Sequence, residues 1–216
     1  MNSYDGLSNE NCSTLQSMED RSLSFTPLPQ DDPLHVALSK VGELYSATNF
    51  MTWWDARAFA VSGEGTERWD PFDQSRAGLL ATFVESHVLC NYTSGADPRF
   101  EEHVAKVGRV SWQIVREGLL DALRHHPVSG GTRPGTAAGQ FSPHAFMLLD
   151  LLEDQIATAL GLSSETLQAE DRTHLRCAAL HPREGSAFEG TLYQHLFMVW
   201  APASRRLLWF DLGGSQ

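Results

Sequence analysis

The pattern of apolar and polar residues predicts a β-hairpin near the C-terminus. Two aromatic-rich runs, one from Gly190 to Trp200 and one from Arg205 to Phe210, flank the short linker Ala201–Ser204. The linker contains Pro202, which cannot donate a hydrogen bond within a strand pair. A short break of this kind between two apolar runs is typical of a hairpin turn. We therefore predict two antiparallel strands over about 190–210.

Three segments have the three- and four-residue spacing of helices. The first covers Ser75–Leu89 and the second Val104–Leu123. The third begins at Ser142–Pro143. The serine hydroxyl is placed to accept a hydrogen bond from an unpaired backbone N–H, and proline, which has no backbone N–H, is favoured at the first helical position. Its apolar face continues to Leu160, and Gly161 is expected to end it.

Alternating apolar residues predict strands elsewhere. Leu34, Val36 and Leu38 alternate roughly in twos, so we predict a strand or strand pair over 34–45, and a further strand over 173–180. Strands near both ends with helices between them predict an α+β fold, a mainly antiparallel sheet covered by about three helices. Residues 1–32 are interpreted as a partly disordered lead and 33–216 as a single domain, with a loop insert at about 51–73 that contains Gly63, Gly65 and Pro71.

The charge balance changes the range of expected partners. The chain has 16 basic and 27 acidic residues, a formal net charge of −11. DNA binding needs a basic stripe that releases counterions, so direct nucleic-acid binding is disfavoured and a basic protein surface is the more natural partner. No apolar run approaches the length of about 20 residues that a membrane span requires, so we expect no membrane association.

Cysteine and carboxylate residues supply the candidate chemistry. Cys12, Cys90 and Cys177 are far apart, which is typical of reduced thiols in an intracellular chain. A cysteine hydrolase or transferase with Cys90 or Cys177 as nucleophile is the alternative function, and it requires a histidine beside the thiol. The carboxylates Asp150, Glu153 and Asp154 fall on the polar face of the third predicted helix, where we expect them to be solvated.

His174, Cys177 and His181 are candidate metal ligands. Their spacing offers three ligands, but a structural zinc site usually needs a fourth, and a strand would turn Cys177 away from His174. We therefore predict no metal and leave this triplet as an open alternative.

Three stretches together resemble the Maf-one family of global repressors of RNA polymerase III transcription. The helical run Leu79–Ser86, followed by Asn91–Ser94, resembles the family's leucine-rich helix and the serine motif after it. The run from Phe100 through Trp112 to Leu123 resembles the next helix. The run Glu189–Tyr193, then Phe197 and Arg205–Leu207, resembles the family's final strands and basic turn.

The resemblance implies a negative regulator that is not an enzyme and has no cofactor. It implies docking on RNA polymerase III subunits and on initiation factor IIIB, in the nucleus and the cytoplasm. Aromatic and arginine side chains are the usual anchors of such interfaces. The candidate partner-binding residues are Trp53, Trp54, Tyr92, Ser94, Tyr193, Arg205 and Arg206.

Overall fold

A six-stranded sheet runs through the described part of the chain. The computed structural model describes residues 23–46, 52–63, 78–90, 99–124, 143–169, 174–186, 188 and 193–214. The strands are β1 (Ser24–Pro27), β2 (Thr52–Ser62), β3 (Val104–Val110), β4 (Arg176–Pro182), β5 (Tyr193–Ala201) and β6 (Arg206–Gly214). The helices are α1 (Pro33–Ser46), α2 (Leu79–Phe83), α3 (Phe100–His103), α4 (Trp112–Arg124), α5 (Pro143–Leu160) and α6 (Ser164–Gln168), and α2 continues into a π-helical segment, Val84–Leu89.

All neighbouring strands of the sheet are antiparallel, in the order β1-β2-β6-β5-β4-β3. The C-terminal hairpin β5–β6 lies at its centre. The predicted α+β class, the antiparallel sheet and the hairpin are confirmed. Six helices, rather than about three, lie within the described residues.

The central strands are buried on both faces, which explains their unbroken apolar runs. On β5, Leu196, Met198 and Trp200 pack against α2 and the π-helical segment. Phe197 and Val199 point to the other face and pack with α1, α4, α5 and α6. Because side chains alternate along a strand, a run of consecutive apolar residues supplies both cores.

The strand predicted over 34–45 is wrong, because the segment forms helix α1. Asp32 caps the helix: its carboxylate accepts the Leu34 N–H at 3.0 Å and its carbonyl accepts the Val36 N–H at 2.9 Å. Pro33 occupies the first helical position, where proline is favoured. Leu34 and Leu38, four residues apart, are both buried, as the helical period requires.

The loop insert predicted at about 51–73 is wrong over residues 52–62, which form β2. This strand pairs with β6 along its length and with β1 at one end. Residues 64–73 lie outside the described residues. The lead predicted over 1–32 also contains β1 and the cap of α1, whereas residues 1–22 lie outside the description.

The helix predicted over 104–123 is correct only in its second part. Val104–Val110 forms the strand β3, paired with β4, and helix α4 begins at Trp112. Gly108 disfavours a helix, while Val104, Val107 and Val110 favour a strand.

The other helix predictions are confirmed in part or in full. α2 and the π-helical segment cover 79–89 of the predicted 75–89. α5 begins at Pro143 as predicted, and Gly161, with φ of 69°, follows its last residue. The predicted cap Ser142 lies outside the described residues. No helix in the described ranges is long and apolar enough to cross a membrane.

Candidate interaction surface

Three of the predicted partner-binding residues lie at one end of the sheet. Trp53 on β2 is opposite Gly213 of β6, and Trp54 is opposite Leu212. Tyr193 begins β5 opposite Gly214, the last residue of β6. The backbone register thus brings the three aromatic positions together, although their side chains lie outside the described part of the structure.

The two arginines lie at the opposite end of the sheet. Arg206 begins β6, opposite Ala60 of β2 and Ala201 of β5. β6 has nine residues, so at about 3.3 Å per residue the arginine end and the aromatic end are separated by about 26 Å. The predicted residues therefore form two separate groups, and a partner that touches both must extend along the sheet. Tyr92 and Ser94 lie outside the described residues.

Arg205 is exposed at the tip of the central hairpin, on a fixed backbone. Its φ of 52° lies in the left-handed region, which is uncommon for a residue other than glycine. Its N–H donates to the Pro202 carbonyl at 3.3 Å, and its own carbonyl accepts the Val61 N–H at 2.9 Å. The first bond closes the turn and the second ties it to β2, so the backbone of Arg205 is held in place.

Arg206 is more enclosed than Arg205 and has a structural contact. Its Nη1 lies 3.9 Å from Oδ2 of Asp32, the residue that caps α1. Its side chain is partly buried, and so is that of Asp32. Of the two adjacent arginines, Arg205 is therefore the one that is exposed to solvent.

The thiols do not form a nucleophilic site within the described residues. Cys177 is buried on β4, and burial raises the pKa of its thiol to about 12, so it carries no thiolate at neutral pH. Cys90 is disulfide-bonded, so the expectation of three reduced thiols is wrong at this residue.

The three candidate metal ligands differ in their exposure to solvent. His174 and His181 are exposed, whereas Cys177 is buried in the core that packs against α4 and α5. No group of three His, Cys, Asp or Glu side chains in the described ranges has an arrangement that could hold a metal.

One carboxylate of α5 is buried, so the expectation that Asp150, Glu153 and Asp154 are all solvated is wrong at Glu153. Glu153 is only 2% exposed; its Oε1 accepts the Trp112 indole N–H at 2.8 Å and its Oε2 accepts Nε–H of Arg116 at 3.0 Å. Asp150 and Asp154 are exposed, as predicted. Glu153 therefore joins α5 to α4. Both of its partners lie more than 30 residues away along the chain, so no local pattern in α5 indicates the burial of Glu153.

A second missed cluster surrounds His87 in the π-helical segment. Its ring is enclosed by Phe25, Phe59 and Phe83, with ring centroids 5.1–5.6 Å away. Ser86 Oγ lies 2.7 Å from His87 Nδ1, an arrangement that also occurs in nucleophile–base pairs. Ser86 Oγ, however, donates to the Thr82 carbonyl at 2.5 Å, within its own helix.

Arg57 extends this cluster to the sheet. Its Nη1 donates to the His87 carbonyl at 3.0 Å, and its Nη2 donates to Asp55 Oδ2 at 2.5 Å. Burial is the main cause that lowers the pKa of His87, and the Arg57 charge lowers it further, against the effect of a hydrogen bond with the Phe25 backbone. A neutral imidazole in an aromatic cage is a packing element that joins β1, β2 and the π-helical segment.

The described residues define an α+β protein whose antiparallel sheet is covered by helices on both faces. No protein-family model matches the chain, and no curated protein sequence matches it. Among solved structures, one crystal structure of MAF1 from citrus aligns with a TM-score of 0.46 and 11% identity, over 82% of this chain and 97% of that chain. A second crystal form of citrus MAF1 aligns with a TM-score of 0.42 and 10% identity, over 82% and 99%. Likeness at this level establishes neither a shared fold nor a function.

Proposed function

We propose that this protein is a negative regulator of RNA polymerase III transcription that acts by docking on the polymerase and on initiation factor IIIB. The observation that carries the proposal is the order of the three sequence stretches that resemble the Maf-one family. Within the described residues these stretches fall in α2 with the π-helical segment, in α3, β3 and α4, and in the central hairpin β5–β6. They supply both cores and the exposed turn between the central strands.

Charge supports a docking role. A chain with a net charge of −11 is attracted to basic surfaces, and polymerase surfaces that meet DNA are basic. Complementary fields speed and orient association even where they add little affinity. Occupation of such a surface by an acidic protein would prevent promoter engagement without any bond being made or broken.

The exposed Arg205 is the anchor that we assign first. Its backbone is held by two hydrogen bonds, so no further backbone entropy is lost when its side chain pairs with an acidic group. Trp53, Trp54 and Tyr193 form the second group of proposed anchors, at the other end of the sheet. This role places the protein in the nucleus when it represses transcription, and we expect it in the cytoplasm as well.

The cysteine hydrolase or transferase alternative has less support. It requires a thiolate beside an imidazole, whereas the Cys177 thiol is buried with a raised pKa and Cys90 is disulfide-bonded. We therefore propose that the protein is not an enzyme.

A pull-down with purified RNA polymerase III tests the proposal. We expect the unaltered chain to retain polymerase subunits, and Arg205→Asp to reduce their recovery about tenfold or more, the usual loss for an interface anchor. Arg205→Asn is the matched control, because Asn and Asp both tolerate a left-handed backbone and differ only in charge. It should give an intermediate recovery.

Two outcomes contradict different parts of the proposal. If the unaltered chain retains neither polymerase III subunits nor initiation factor IIIB, the proposed function is wrong. If the unaltered chain retains them, and the Arg205→Asp variant and the Trp53→Ala/Trp54→Ala variant retain them equally well, the proposed function stands. The assigned anchors are then wrong.

A further inference from the structure

Two large apolar side chains stand exposed on one face of α5. Met147 is 67% exposed and Leu151 is 59% exposed. They are four residues apart, so one lies directly above the other on the helix surface. Single exposed apolar residues are normal on a protein surface, but two stacked on one helix face form a patch that another chain can cover.

The opposite face of α5 is firmly held. Leu149, Leu152 and Ile156 are buried in the core with α1 and α4. Glu153 adds the two hydrogen bonds to Trp112 and Arg116 described above. The exposed face is therefore presented on a rigid element, and a partner that binds it does not have to order this helix first.

Carboxylates border the apolar pair. Asp150 and Asp154 occupy the same exposed face as Met147 and Leu151, since residues 147, 150, 151 and 154 follow the helical period. Arg116 lies 3.4 Å from Asp150 and also binds the buried Glu153. One guanidinium thus serves two carboxylates, while Asp154 Oδ1 accepts only a neutral hydroxyl hydrogen bond, from Ser164, in the described structure. The patch has a surplus of negative charge.

We propose that this face of α5 binds a basic amphipathic helix from a partner protein. The apolar side chains of that helix cover Met147 and Leu151, and its Lys or Arg residues pair with Asp150 and Asp154. A second copy of this chain would bring the same carboxylates against each other. Nucleic acids and anionic membranes carry the same sign of charge as the patch, so a basic protein segment is the occupant that the charges favour.

The proposal does not depend on a role in transcription. The face lies on α5, whereas the anchors proposed for polymerase docking lie on β2, β5 and the hairpin turn. A failure of either proposal leaves the other intact.

A designed peptide tests this face directly. The probe is a fluorescent amphipathic helix of about 18 residues, long enough to be helical alone, with leucines on one face and lysines beside them. We expect it to bind the unaltered protein, and Met147→Ser/Leu151→Ser to weaken binding about tenfold or more, measured by fluorescence anisotropy. Ile114→Ser is the control, because Ile114 is an exposed apolar residue of the neighbouring helix α4 and should leave binding unchanged.

Charge is tested with a second peptide in which glutamates replace the lysines. We expect no measurable binding of that peptide, and weaker binding of the basic peptide as salt rises. The proposal is overturned if the basic peptide binds the double variant as tightly as the parent, or if both peptides bind the parent equally. It is also overturned if sedimentation shows a dimer that the double variant converts to a monomer.

Discussion

At the scale of single residues, Glu153 shows how a charge can be part of a core. An isolated carboxylate is costly to bury, and it persists here because both of its oxygens accept hydrogen bonds from α4. The pair with Arg116 is still partly open to water on the arginine side, so screening reduces its strength. The cluster is best understood as a specific link between two helices.

Removal of the Glu153 carboxylate should therefore destabilise the fold. We expect Glu153→Ala to lower the free energy of unfolding by about 2–4 kcal/mol, because it leaves the buried Trp112 N–H without its partner and leaves Arg116 with only the exposed Asp150. Asp150→Ala is the matched control: this carboxylate is 68% exposed, and its loss should cost about 0.5 kcal/mol or less. Urea denaturation of both variants measures the difference. Equal losses would show that Glu153 contributes no more than a surface charge.

At the scale of elements, α4 lies close to the sheet at Gly118. A Cβ atom on Gly118 would lie 2.4 Å from Cε2 of Phe197, whose ring is buried and stacks on His195. Gly118→Ala gains up to about 1 kcal/mol of helix propensity, but the overlap forces the ring or the helix to move. Overpacking of this kind costs about 1–3 kcal/mol, so we expect a net loss of stability.

Gly108 supplies the comparison for this prediction. It lies in β3, and a Cβ there meets nothing closer than His181 Nε2 at 3.7 Å, an ordinary contact. Gly108→Ala should leave the thermal midpoint nearly unchanged while Gly118→Ala lowers it. An unchanged midpoint in both variants would mean that α4 can shift away from Phe197 without cost.

The elements also show which parts of the fold the sequence could predict. The hairpin β5–β6 and the start and end of α5 follow from local signals, namely long apolar runs, Pro143 and Gly161. The strand predicted over 34–45 is wrong because Leu34, Val36 and Leu38 fit both a period of two and part of a helical period. Pro33 is the local signal that favours a helix start. β2 was missed because its partners, β1 and β6, are distant in sequence.

At the scale of the whole molecule, the same limit applies to the candidate surface. The residue types Trp, Tyr and Arg could be selected from the sequence as possible anchors, but their positions depend on strand register. The register places Trp53 and Tyr193 at one end of the sheet and Arg206 at the other. The buried Glu153 and the caged His87 depend on contacts between segments far apart in sequence, so no local pattern revealed them.

Acid should weaken the whole fold through His87, which joins the edge strand β1 and β2 to the π-helical segment. Burial lowers its pKa from the ordinary value of about 6.5. The unfolded chain therefore binds a proton at His87 more readily than the folded protein does. The free energy of unfolding thus falls as the pH drops from about 6.5 towards the lowered pKa, by at most about 1.4 kcal/mol per pH unit. His87→Asn removes this group and should flatten the dependence of the unfolding free energy between about pH 5.5 and 7.5, whereas His181→Asn, a change at an exposed residue, should retain it. Urea denaturation across that range measures both slopes, and equal slopes in the two variants would show that His87 is not the group that responds to acid.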